Sequence, residues 1–238
     1  MRLAVSIAIA ACLGLAPTAE AQDLPEQRTE ALLKGSKATI ENGACCSASR
    51  GTVHASDAAA IARAPSWAAR NGQILRLKLD GNRTLSLTDC LVTDICDGDM
   101  RVHRLVAWWP QYRLFVVKVG LYEASVAYLV SQRDGRVTVA AAPPVLSPSG
   151  RWAVALESNQ MTGVDLELLD MSHDPPTVTR IEEETPSCPG TDPGLLRPSP
   201  VWVDDSQIRF EVPPPLKSGY PTTKQLLRIV DGKPRWEC

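Results

Sequence analysis

From Gln73 to the end of the chain, apolar residues alternate with polar ones or gather in short blocks rich in valine, isoleucine and leucine. Period-two alternation places successive side chains on opposite faces of an extended backbone, so each block predicts a strand. The blocks are Ile74 to Leu79, Arg83 to Leu87, Arg104 to Trp108, Arg113 to Val119, Ser125 to Ser131, Arg136 to Ala140, Arg151 to Glu157, Val164 to Leu169, Thr177 to Ile181, Gln207 to Val212 and Gln225 to Val230. Asp80-Gly81, Asp134-Gly135 and Asp231-Gly232 each stand between two of them. Asp-Gly readily takes the positive φ angles of a tight hairpin, so consecutive strands should be antiparallel neighbours. Ahead of Gln73 the pattern changes. Residues 22 to 36 are polar with a weak helical period, and residues 55 to 70 are rich in alanine, which predicts a short helix interrupted at Pro65.

The strands repeat. Leu105 to Lys118 reads LVAWWPQYRLFVVK, Pro143 to Leu156 reads PPVLSPSGRWAVAL and Ser199 to Val212 reads SPVWVDDSQIRFEV. In that alignment Trp108, Leu146 and Trp202 share a position, Leu114, Trp152 and Ile208 share another, and Val116, Val154 and Phe210 fall two residues later on one strand face. A turn separates the first two positions: Pro110-Gln111-Tyr112, Pro148-Ser149-Gly150 or Asp204-Asp205-Ser206. Each copy runs on into a second hairpin, as in YLVSQRDGRVTV at 128 to 139 and LRIVDGKPRW at 227 to 236. A recurring unit of this size is the signature of a repeat architecture.

Ser147-Pro148-Ser149-Gly150-Arg151-Trp152 resembles the Ser-Pro-Asp-Gly-(Arg/Lys)-aromatic stretch of the WD40-like (PD40) β-propeller repeat of periplasmic TolB-type proteins, with Ser149 in place of Asp. The other two copies are degenerate, and the resemblance spans residues 103 to 238. It implies an all-β, propeller-like stack of antiparallel four-stranded meanders. Closed propellers have about four to eight blades, so a fourth unit is needed. Lys37 to Glu41 and Gly51 to His54 would complete one by pairing with the hairpin from Gln73 to Leu87, and a disulfide from Cys238 would help close the ring. A β-sandwich is the alternative.

The N-terminus changes the picture of where the protein works. Met1-Arg2 is positive, Leu3 to Leu15 is apolar apart from Ser6 and Gly14, and Ala19-Glu20-Ala21 puts small residues where a signal peptidase reads. This predicts a cleaved leader over 1–21, an N-terminal arm with a short helix over 22–72, a β-repeat domain over 73–238, and a periplasmic or secreted product. Ile9-Ala10-Ala11-Cys12 offers the alternative of a lipoprotein anchored at Cys12. No later stretch approaches the roughly 18 apolar residues of a membrane span. Six cysteines remain after cleavage: Cys45, Cys46, Cys90, Cys96, Cys188 and Cys238. In an exported chain an even number favours disulfides, with Cys90 to Cys96 the best single pair because they lie close around an acidic loop. Adjacent Cys45-Cys46 near His54 would otherwise suit a soft metal or redox chemistry.

Charge and motifs narrow the function. With 25 basic and 27 acidic residues the net charge is −2, which argues against a nucleic-acid partner. No GxSxG, HExxH, SxxK or Walker loop is present, and His54, His103 and His173 lack metal-ligand spacing. Asp94, Asp97 and Asp99 fail the calcium-loop pattern. No catalytic, cofactor-binding or metal residue is therefore expected. Trp108 and Trp109 should point to opposite faces, one of them into the core. Trp109, Tyr112 and the loop residue Tyr122 are the candidates for contact with a partner, and the proline segments Pro186 to Pro200 and Pro213 to Pro215 should stiffen surface connections. The expected function is a non-enzymatic binding module of the cell envelope with an envelope protein as partner. A hydrolase or lyase with carboxylates at a central channel is the rival, recognisable by a carboxyl of raised pKa in a deep pocket.

Overall fold

The computed structural model describes residues 38–42, 57–91, 100–121, 124–159, 163–181, 199–212 and 223–237. They form four antiparallel sheets of four strands each and one short helix. The first sheet contains β1 (Thr39–Asn42), β2 (Ala68–Asn71), β3 (Ile74–Leu79) and β4 (Arg83–Thr88), in the order β1-β4-β3-β2. The second is a meander of β5 (Val102–Trp109), β6 (Leu114–Gly120), β7 (Ser125–Ser131) and β8 (Val137–Ala140). The third runs β9 (Val145–Leu146), β10 (Trp152–Asn159), β11 (Gly163–Asp170) and β12 (Thr177–Ile181), and the fourth β13 (Val201–Trp202), β14 (Gln207–Val212), β15 (Thr223–Val230) and β16 (Lys233–Glu237). Helix α1 (Ala58–Arg63) ends just before Pro65, whose ring disfavours helical backbone in the residue ahead of it.

The sheets are layered in chain order, with an apolar seam between each pair. Leu75, Leu77, Leu85 and Leu87 of the first sheet meet Phe115, Val117, Tyr128 and Val130 of the second. Leu114, Val116 and Leu129 of the second meet Ala153, Ala155 and Leu169 of the third. Val154, Leu156, Leu166 and Leu168 of the third meet Ile208, Phe210 and Leu227 of the fourth. Strand β10 shows why the pattern works. Its odd residues Ala153 and Ala155 turn to the second sheet and its even residues Val154 and Leu156 to the fourth, so the stretch covered on both sides, Trp152 to Leu156, is apolar throughout.

The alignment of the third repeat is off by one. Trp108 pairs with Phe115 and Leu146 with Ala153, but Trp202 pairs with Ile208. The cause is the turn. Four residues separate the last paired positions Trp109 and Leu114, and four separate Ser147 and Trp152, whereas Val203 and Gln207 enclose only three. A one-residue slip turns every side chain to the other face. Phe210 therefore looks back at the third sheet, while Val116 and Val154 look forward to the next one. As a result Arg209 and Glu211 occupy the outward face of β14, beside Lys224 and Arg228 of β15. The outward face of the first sheet is likewise polar, with Arg76, Lys78 and Ser86.

The first sheet also differs from the other three. Its β3–β4 turn, at Asp80, bonds through its N–H to Gln132 O in the β7–β8 turn, while Asp89, after β4, binds the N–H of His103 near the start of β5. Strand β2 thus runs opposite to β5. Its members also reach back across residue 73: β1 pairs with β4 as expected for Lys37 to Glu41, and Ala68–Asn71 pairs with β3 inside the segment read as an arm. Residues 51 to 54 lie outside the described residues. No helix among the described residues is long and apolar enough to cross a membrane.

Candidate functional site

Every hairpin turn of the second, third and fourth sheets that joins an inner or an outer strand pair emerges at one end of the stack, hereafter the rim. Three of these turns are built on the same device, an aspartate accepting the N–H two residues on: Asp134 from Arg136, Asp170 from Ser172 and Asp204 from Ser206. The rim is stitched from sheet to sheet. Arg113 pairs with Asp80 between the first and second, the Tyr112 hydroxyl donates to Gly150 O at 2.7 Å between the second and third, and Ser149 N donates to Asp205 Oδ1 at 2.7 Å between the third and fourth.

Between the third and fourth sheets the rim opens into a cleft of about 500 Å³. The third sheet contributes Arg151 and Trp152 at the head of β10, Asp170 and His173 around the β11–β12 turn, and Thr177 and Thr179 of β12. The fourth contributes Asp205 and Ser206 from its first turn and Ile229, Asp231 and Gly232 from its second. The volume lies within the range of ligand sites, about 300–1,000 Å³. The Arg151 guanidinium lies over the Trp152 indole, 5.3 Å from its centroid, with Nη2 3.6 Å from Asp170 Oδ2. His173 Nε2 stands 3.7 Å from the same oxygen.

Hydrogen bonds favour the charged form of two carboxylates of this cleft, Asp170 and Asp205. Partial burial works to raise the pKa of Asp170, but the Ser172 hydroxyl and N–H, then Arg151 and His173, hold it below the usual carboxylate range. Asp205 is lowered chiefly by the N–H and hydroxyl of Ser149. Such groups attract cations and are poor proton donors at neutral pH. No set of three or more His, Cys, Asp or Glu among the described residues is arranged to hold a metal ion.

A second polar cluster sits at the opposite end, sealed between the first two sheets. Arg70 of β2 is fully buried and donates through Nε to Asp57 at 2.7 Å, through Nη1 to Asp89 at 3.2 Å and through Nη2 to His103 O. Asp89 also accepts from His103 N at 2.7 Å and from Arg104 Nη1 at 2.5 Å. Burial alone would raise the pKa of Asp89, yet His103, Arg104 and Arg70 together bring it down to about 2. Asp57 stands at the N-cap of α1 but turns its carboxylate to Arg70 instead of the helix.

The residues singled out from sequence scatter. Trp108 packs into the first seam against Trp67 and Phe115, and Trp109 and Tyr112 pack at the edge of the second seam, their rings edge-on at 6.2 Å. Trp109 and Tyr112 pack between sheets while remaining partly exposed. Tyr122, Cys45, Cys46, Cys96, Cys188 and Cys238 lie outside the described residues, as do the leader, Cys12, the acidic loop from Asp94 to Asp99 and the prolines from Pro213 to Pro215. Cys90 is half-buried and bridges Arg101, each N–H bonding the other's carbonyl at 2.8 Å. The cleft itself went unread in the sequence, although Ser147 to Trp152 marks one of its walls. No protein-family model matches the chain, and no curated protein matches it.

Proposed function

We propose that the mature chain is an exported, propeller-like β-repeat module of the cell envelope that binds a partner protein at the rim cleft between its third and fourth sheets. The observation that carries this reading is the cleft: aromatic, hydroxyl and charged side chains from four different turns and strands converge on one open cavity. The rival hydrolase needs a carboxyl of raised pKa to act as general acid, whereas Asp170 and Asp205 are both shifted the other way. Export rests on the positive start, apolar core and Ala19-Glu20-Ala21 site of the leader. The polar outward faces of the first and last sheets favour an open stack of four sheets over a closed ring, because ring closure would bury Arg76 and Lys78 against Arg209 and Arg228.

A Cys90–Cys96 disulfide belongs to the same reading. The Cys90–Arg101 bridge closes the segment between them, and with only five residues between Cys90 and Cys96 in the sequence such a bond needs no long-range folding. Non-reducing peptide mapping of secreted protein should recover that pair, and a reduced Cys96 would refute it. N-terminal mass spectrometry should find Gln22 first; an acylated Cys12 would replace secretion by anchoring. Function is tested by filling the cleft. Crosslinking of tagged protein in cells should capture a discrete envelope protein, and Thr179→Trp should abolish that capture while leaving the fold intact. Equal capture by both would remove the cleft from the function.

A further inference from the structure

The pose of Arg151 carries information about what the cleft receives. Its guanidinium lies above the Trp152 ring and faces the Asp170 carboxylate, the two contacts that a planar cation makes with an aromatic ring and an acid. Neither contact is tight. The ion pair is 3.6 Å long, the Arg151 side chain is more than half exposed, and Asp170 keeps its own bonds to Ser172 whether or not Arg151 stays. The lining holds three carboxylates, Asp170, Asp205 and Asp231, against this one guanidinium. Thr177, Thr179 and Ser206 add hydroxyl acceptors around the same space.

We infer that the cleft is a seat for an arginine side chain of a partner protein, and that Arg151 holds this seat in the unbound protein as an internal stand-in. The inference rests on the binding reading above and names its chemistry. A partner guanidinium stacks on Trp152 and pairs with Asp170 after Arg151 swings into solvent. Arg151 is then a built-in competitor: only the fraction of molecules with the seat empty can bind, so the apparent Kd exceeds the intrinsic one.

The test is a titration of the full mature chain with acetyl-triarginine-amide at low salt, followed by calorimetry. Arg151→Ala should tighten binding about five- to tenfold by removing the competitor. Asp170→Asn should weaken it at least about tenfold, in keeping with a charge-assisted bidentate contact. Arg180→Ala removes an equal charge from the exposed Arg180–Asp165 pair of the same sheet and should change nothing. Acetyl-trilysine-amide should gain little from Arg151→Ala, since an ammonium group lacks the planar fork. Unchanged or weaker binding by Arg151→Ala, a gain matched by Arg180→Ala, or an equal gain for the lysine peptide each overturns the inference. If Thr179→Trp still abolishes partner capture in that case, the cleft remains a binding site and only its arginine chemistry is lost.

Discussion

At the base of the first seam Arg70, Asp89 and His103 meet with side-chain exposures of 0, 3 and 0 %, while at the rim of the third seam Arg151, Asp170 and His173 meet with 57, 18 and 61 %. The residue types are the same and the physics is opposite. A guanidinium removed from water must recover its lost hydration from protein acceptors, and Arg70 does so through two carboxylates and two backbone carbonyls. Arg151 keeps water, makes one long ion pair and remains free to exchange partners. Burial, not composition, decides which trio is a structural knot and which is a site.

The sharpest way to break this contrast is to remove each arginine. Arg70→Met leaves Asp57 buried without a cation and Asp89 with Arg104 alone, and should cost about 3–5 kcal/mol of stability, whereas Arg151→Met should cost only about 1 kcal/mol. Urea midpoints of the two variants check it. Equal losses would show that the base cluster is solvated in solution.

Acid titration isolates the base cluster next. The folded-state pKa of Asp89, about 2, lies below its ordinary 3.8, so its contribution is fully present above about pH 4 and is lost as pH falls through 2. A shift of just under two units is worth about 2 kcal/mol. Asp89→Asn should therefore lose about that much at neutral pH, and its stability should fall less steeply between pH 4 and 2 than that of the wild type. Parallel acid limbs for the two proteins would assign the acid sensitivity to other groups.

What could be read from the sequence follows the same division between local and distant causes. Strands β3, β7, β12 and β14 end where alternation and turn residues say they should, because both signals act within a few residues. Asp231 and Gly232 both take positive φ, as their hairpin requires. The slip in the third repeat was hidden because Ile208 and Phe210 are apolar whichever sheet they face, and only the shorter turn decides the face. The reversed first sheet leaves no local mark at all. Arg70 reaches partners 13 and 19 residues away, out of an alanine-rich stretch that reads as a short helix interrupted at Pro65. The cleft was hidden differently: Asp170, Asp205 and Ser206 each look like ordinary turn residues, which they also are, and only the layering of the sheets brings them together.

The rim glycines sharpen the comparison at a smaller scale. Gly150 has φ +78°, and a methyl group there would run into the Tyr112 hydroxyl, which itself bonds Gly150 O. Gly232 has φ +74°, but a methyl group would meet only Trp152, at 3.8 Å. The packed second seam should therefore resist substitution more than the open third one. Gly150→Ala should cost about 2 kcal/mol, from left-handed backbone plus a displaced hydrogen bond, and Gly232→Ala about 1 kcal/mol, from backbone alone. Thermal midpoints in that order support a cleft that is open in solution, and a reversed order would mean that the fourth sheet closes onto Trp152.

The smallest expected effect is the most discriminating for the cleft. Asp170→Asn removes the carboxylate shared by Arg151 and His173 while keeping an oxygen that accepts from Ser172. Because Asp170 is a partly exposed rim group, the loss should stay within about 0.5 kcal/mol and shrink further as salt screens the charges. A large, salt-insensitive loss would mean that the rim trio holds the third sheet together as the base cluster holds the first. A small one, together with weakened binding of the arginine peptide, separates recognition from stability at a single carboxylate.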